Sequence, residues 1–195
     1  MQVYMICGFF GSGKTALLVK LASMCKERGA KVAILVNVSG EANVDGITLE
    51  GEGCDTMELP DGCICCTLAE VLESSLKNIK KDIDPDIIFI EPSGLAQPHR
   101  VKEVVKKAMI RSEEIYIISI VDVQRFEGLV KKREALFKQQ MSSADLILIN
   151  MCDLATPAEM EATTEWLRTE CPSKPVIPIS TKTGENLDKV YEMIK

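Results

Sequence analysis

No apolar stretch in this chain approaches the roughly 20 residues that a helix needs to cross a bilayer. Nor does a basic segment lead into a long apolar one near the N-terminus, so neither a membrane span nor an export signal is legible. Positive charge is in deficit: 23 Lys and Arg stand against 29 Asp and Glu, for a net charge of −6. That balance argues against a role on nucleic acid or on an anionic membrane surface. The basic clusters that do occur, Lys80-Lys81, Lys106-Lys107 and Lys131-Lys132-Arg133, lie in helical patterns and read as solvated faces. There is no internal repeat and no low-complexity linker. The expectation is a single domain over residues 1–195 in the cytoplasm, where thiols stay reduced. The eight cysteines are then free thiols or metal ligands, not a disulfide framework.

What is present alternates. Continuous Val/Ile/Leu runs mark strands over Gln2 to Cys7, Lys31 to Val36, Asp86 to Glu91, Ile115 to Val121, Ala144 to Asn150 and Pro175 to Ile179. Helical patterns fill the gaps. Leu68, Val71, Leu72, Ser75, Leu76 and Ile79 form one stripe, opened by a capping box of Thr67 with Glu70. Thr156, Pro157 and Glu159 open another helix. The expected fold class is α/β, a mostly parallel central sheet of about six to eight strands with helices on both faces. Asn37 to Gly62, rich in Gly, Asp and Glu, reads as an irregular segment with a functional or disordered character.

Gly8-Phe9-Phe10-Gly11-Ser12-Gly13-Lys14-Thr15 fits G-x-x-x-x-G-K-[ST] between a strand and a helix beginning Thr15-Ala16. In that setting backbone N–H groups from Gly11 to Ala16 surround an anion, Lys14 adds a cation, and Thr15 offers a hydroxyl to Mg²⁺. The helix points its positive end at the same place. Strand Asp86 to Glu91 runs into Glu91-Pro92-Ser93-Gly94, where Glu91 can serve Mg²⁺ and Gly94 can approach a terminal phosphate. Asn150-Met151-Cys152-Asp153 is similar to the N-K-x-D element of GTPases. There the acceptor-only Asp153 suits the donors of guanine. Ser180-Thr181-Lys182 is similar to the loop that backs the guanine oxygen, and Met151 stands where lysine is usual.

Gly62-Cys63-Ile64-Cys65-Cys66 places three cysteines within four residues, next to a helix N-terminus that favours thiolates. Three soft sulfurs suit Zn²⁺ or Cu(I), with Co²⁺ or Ni²⁺ less favoured. They leave a fourth position open for water or a transfer partner; Cys54 can complete the site, though nothing in its spacing demands it. A cluster of small buried thiols, or a redox pair at Cys65 and Cys66, is the plainer alternative. The only histidine, His99, follows Gly94-Leu95-Ala96-Gln97-Pro98 and has two readings, a group that approaches the phosphate or the metal and, more plainly, a lone surface histidine.

Together these segments resemble the CobW-like branch of the CobW/HypB/UreG metallochaperone GTPases, along almost the whole chain. Gly8 to Thr15 resembles that family's phosphate loop and Cys63, Cys65 and Cys66 its C-x-C-C motif. Glu91-Pro92-Ser93-Gly94-Leu95-Ala96 resembles its E-x-x-G-L-A element, and Ile120-Val121-Asp122 its V-V-D strand. The resemblance implies a P-loop GTPase of weak intrinsic activity, with GTP, Mg²⁺ and zinc, cobalt or nickel as ligands. It also implies metal delivery to a client protein and nucleotide- or metal-dependent homodimers. Asn37-Val38 stands where the family has Asn-Glu, and the family's usual second domain is expected to be absent.

In this reading residues 37–66 form a switch that GTP orders around the three thiolates. Lys14, Glu91 and Asp45 are the catalytic candidates, with Glu41 and Asp45 placed to position water or Mg²⁺. Rival readings are a P-loop kinase of a small molecule, a nucleotide-gated metal sensor, and an activator of a corrinoid enzyme.

Overall fold

The computed structural model describes residues 1–37, 55–59, 67–108 and 114–194. Its strands are β1 (Gln2–Cys7), β2 (Val32–Asn37), β3 (Asp55–Leu59), β4 (Ile87–Glu91), β5 (Ile115–Asp122), β6 (Leu146–Asn150) and β7 (Val176–Pro178). They form one sheet of order β3-β2-β4-β1-β5-β6-β7, and every pairing is parallel. The helices are α1 (Lys14–Glu27), α2 (Thr67–Asn78), α3 (Pro98–Ala108), α4 (Phe126–Ser142), α5 (Pro157–Glu170) and α6 (Leu187–Met193).

Strand residues alternate between two apolar layers, as a period of two requires. From β1, Val3, Met5 and Cys7 enter a layer shared with Leu76 of α2, Val105 of α3, Phe137 of α4 and Leu167 of α5. Tyr4 and Ile6 enter the opposite layer, shared with Leu17, Leu18 and Leu21 of α1 and Val190 of α6. Both faces are thus covered, which is why the inner strands read as unbroken apolar runs. Each buried Val, Leu, Ile, Phe or Met among them contributes about 1.5–3 kcal/mol relative to exposure.

The capping box at Thr156 is present: its Oγ1 accepts from Glu159 N (3.3 Å) while Thr156 N donates to Glu159 Oε2 (2.8 Å). Leu72, Ser75 and Leu76 of α2, and Ile79 just beyond it, are buried as the stripe requires. The side chains of Thr67, Leu68, Glu70 and Val71 lie outside those described.

Two features depart from the sequence reading. β3 falls inside Asn37 to Gly62, which was expected to be irregular. Among the described residues it pairs with β2 alone, and an edge strand need not be a continuous apolar run; Asp55 and Glu58 break the pattern. In addition, α2 runs on into a π-helical turn, Ile79–Ile83, that ends at the left-handed Asp84.

Because all strands are parallel, their carboxyl ends share one edge. β1 sits there between β4 and β5, where the order of the strands reverses and α/β sheets bind ligands. No helix among the described residues is long and apolar enough to cross a membrane.

Candidate phosphate-binding site

The turn after β1 is held in a shape only glycine permits. Gly13 caps α1 at φ 95°, and a Cβ there would stand 2.3 Å from Asn150 Nδ2. Lys14 follows, 6% exposed, with Nζ donating to Phe9 O at 3.3 Å and lying 3.7 Å from Glu91 Oε1. Burial pushes the Lys14 ammonium below its ordinary range, while the Glu91 charge pulls the other way. Thr15 Oγ1 donates to Glu91 Oε2 at 2.9 Å. A desolvated ammonium, a hydroxyl and a carboxylate at a helix N-terminus form a donor set that fits a phosphate with a hard divalent cation. Burial pushes the neighbouring Cys7 thiol up to about 12, so it is a neutral filler of the core.

The carbonyls of the turn are bound from outside. Asn150 Nδ2 donates to Ser12 O (2.8 Å) and to Thr181 Oγ1 (3.2 Å), and Asn150 Oδ1 accepts from Thr181 N (3.0 Å). Its amide is therefore committed to joining the phosphate loop, the end of β6 and the loop after β7. Arg125, just beyond β5, donates through Nη2 to Phe10 O at 2.6 Å. Gln140 of α4, 1% exposed, donates to Gly94 O (3.0 Å) and Ala96 O (3.2 Å). Gly94 in turn lies flush on the phosphate loop, where a Cβ would meet Phe10 N at 2.6 Å.

Arg125 and Gln140 escaped the sequence reading. The one signal for Gln140 is a polar residue beside Phe137 and Met141 on a buried helical face. Arg125 carried no such signal, because an arginine at the start of a helix is ordinary on a surface.

The loops after β6 and β7 are zipped together. Cys152 N donates to Ile179 O at 3.2 Å, and Ser180 Oγ, buried, accepts from Thr183 N at 3.1 Å. Ser180 and Thr181 are buried, whereas Asp153, Lys182 and, across at the start of α1, Ala16 are exposed. Met151 is left-handed at φ 66° and packs partly on the layer that contains α4 and α5. The Cys152 thiol lies 3.5 Å from Glu185 Oε2, and burial, then that carboxylate, push it up to about 11. His99 is exposed, with Nδ1 3.4 Å from Gln139 Nε2.

Gly11, Ser12, Gly13, Lys14, Thr15, Glu91 and Gly94 thus come together in contact, and Asn150, Ser180 and Thr181 border them. Asp45, Glu41, Cys54, Cys63, Cys65 and Cys66 lie outside the described residues. Among the described residues no group of three or more His, Cys, Asp or Glu could hold a metal ion. Cys7, Cys25, Cys152 and Cys171 are free thiols.

Residues 2–178 match the family model for the CobW/HypB/UreG nucleotide-binding domain. The chain is 31% identical over 165 residues to the zinc chaperone YeiR of Escherichia coli, covering 83% of this chain and 50% of that protein. It is 31% identical over 210 residues to the zinc chaperone CobW of a Sinorhizobium species, covering 92% and 58%. It therefore spans about half the length of the curated relatives it matches. Among solved structures it is similar to the hydrogenase maturation factor HypB of Archaeoglobus fulgidus, with a TM-score of 0.70 and 21% identity, covering 99% of this chain and 88% of that one.

Proposed function

Because the chain belongs to the CobW/HypB/UreG nucleotide-binding-domain family, we propose that it binds and slowly hydrolyses GTP and couples that cycle to holding zinc for delivery to a client protein. Asp153 reads the guanine donors, and Lys14 with the loop amides holds the β and γ phosphates. Thr15 and Glu91 would hold Mg²⁺, which supplies positive charge to the phosphates when bound. Asp45 is assigned to orient the attacking water. The cargo metal is assigned to Cys63, Cys65 and Cys66, in keeping with the names of the zinc chaperones to which the chain is similar.

One observation carries the coupling. Val36 of β2 pairs with Glu91 of β4, and Asn37 pairs with Leu59, the last residue of β3. Leu59 therefore ends at the same sheet edge as Glu91, two strands and so about 10 Å away. Cys63 follows Leu59 by four residues, a tether of at most about 14 Å. A phosphate-bound state and a thiolate-bound metal can then bias the same segment, and reciprocity requires each to alter the affinity of the other by one factor.

The test is GTP affinity with and without zinc, for the native chain and a Cys63/Cys65/Cys66→Ser variant. The expected result is a zinc-dependent affinity that the triple variant loses; equal affinities remove the coupling. Phosphate released from GTP without a phosphorylated product separates this reading from a small-molecule kinase.

A further inference from the structure

We infer that Arg125, braced by Asp122, is a positioning residue that aims the Gly11 N–H into the phosphate cradle. This rests on the nucleotide-binding reading above. A peptide group is planar and trans, so the carbonyl of Phe10 and the N–H of Gly11 point in opposite directions. Whatever fixes that carbonyl outside the loop fixes the amide proton toward its interior. Arg125 Nη2 holds the Phe10 oxygen at 2.6 Å, a short charge-assisted bond. Its guanidinium lies so close to Gly11 that a Cβ there would meet Nη2 at 2.8 Å.

The guanidinium is itself held in place. Arg125 Nε donates to Asp122 Oδ2 at 2.5 Å. Asp122 Oδ1 accepts from Gln124 N (2.9 Å) and Arg125 N (3.2 Å). The Asp122 side chain, at the end of β5, is 4% exposed. A fork pinned at one edge can present its other edge at only one place, which a flexible ammonium cannot reproduce. Asn150 does the equivalent from the other side, holding Ser12 O at 2.8 Å. The Arg125 charge also reaches the pocket, since it is among the influences that lower the Lys14 ammonium.

The experiment titrates GTP and GDP into the native chain, R125A and R125K, and follows the Gly11 amide in ¹⁵N-glycine-labelled protein. R125A is expected to bind both nucleotides about tenfold more weakly, the worth of one charge-assisted contact. Its Gly11 proton should lose most of the downfield shift that GDP induces. R125K should recover less than half of the affinity. Arg125→Gln, which keeps the stem, replaces R125A if that variant does not fold, and the Gly11 shift then decides.

R125A with native affinity and a native Gly11 shift overturns the tether alone. So does R125K equal to the native chain, because charge without the fork would then suffice. A native chain that binds neither nucleotide sinks the nucleotide reading and takes the tether with it.

Discussion

The phosphate loop and the base loops share one edge of the sheet but are finished in different ways. Around the phosphate loop the protein supplies its own partners: Lys14 is paired with Glu91, Thr15 with Glu91, Phe10 O with Arg125 and Ser12 O with Asn150. Beyond β6 and β7 the backbone is just as fixed, yet Asp153 and Lys182 project into solvent. Among the described residues Asp153 has no hydrogen-bond or ion-pair partner. One end of the site is thus preorganised, and at the other Asp153, the group proposed to read the base, is left exposed. Preorganisation spends folding energy to save binding energy. Changes at the phosphate end should therefore disturb loop and ligand together, and changes at the base end the ligand alone.

The largest effect should come from Lys14→Ala. It removes the loop's own ammonium and takes that partner from Glu91, so GTP and GDP affinities should fall about 100-fold or more. Titration with fluorescent nucleotides checks this; a loss below tenfold would mean that Lys14 does not face the phosphates.

Asn150→Ala comes next and bears on the preorganised end directly. Asn150 is fully buried and joins three segments. Its loss strands Ser12 O and Thr181 N, and the free protein should lose about 2–3 kcal/mol in urea unfolding. Stability equal to native would show that the loop keeps its shape unaided.

Asp153→Asn tests the other half of the comparison. The amide puts a donor where guanine also has donors, while xanthine offers a carbonyl there. GTP affinity should fall about tenfold and that for xanthosine triphosphate should rise, with the melting midpoint of the free protein unchanged. A shifted midpoint would mean that Asp153 is structural after all.

The smallest effect concerns Cys152. Its thiol is pushed up to about 11, first by burial and then by Glu185. A raised thiol pKa disfavours the reactive thiolate, so alkylation at pH 8 should be slow and should climb as pH rises toward 11. Glu185→Gln removes a negative neighbour and should quicken alkylation at pH 8 about threefold. Mass spectrometry of the Cys152 peptide reads it, and an unchanged rate would mean that the contact between the two base loops is not made.

The phosphate end was legible in the chain because its chemistry is local. Gly11 to Thr15 are contiguous, and a glycine run between a strand and a helix leaves few other conformations. Glu91 was legible by its place at a strand end, and the helical stripe in α2 by its period. β3 was hidden because an edge strand with two carboxylates carries no apolar run. Gln140 and Arg125 were hidden because their partners, Gly94 and Phe10, are 46 and 115 residues away in sequence.

By itself the sequence determined the α/β alternation, the phosphate loop, the capping box at Thr156 and the candidate roles of Lys14, Thr15, Glu91 and Asp153. Each rests on residues close in the chain, where covalent geometry and periodicity limit the outcome. The tertiary structure alone decided that the seven described strands order themselves around β1, that Asn150 and Arg125 hold the loop by its carbonyls, and that β3 ends at the same sheet edge as Glu91, two strands away. Those depend on packing between distant segments, and no local pattern of residues encodes which distant group will accept a given hydrogen bond.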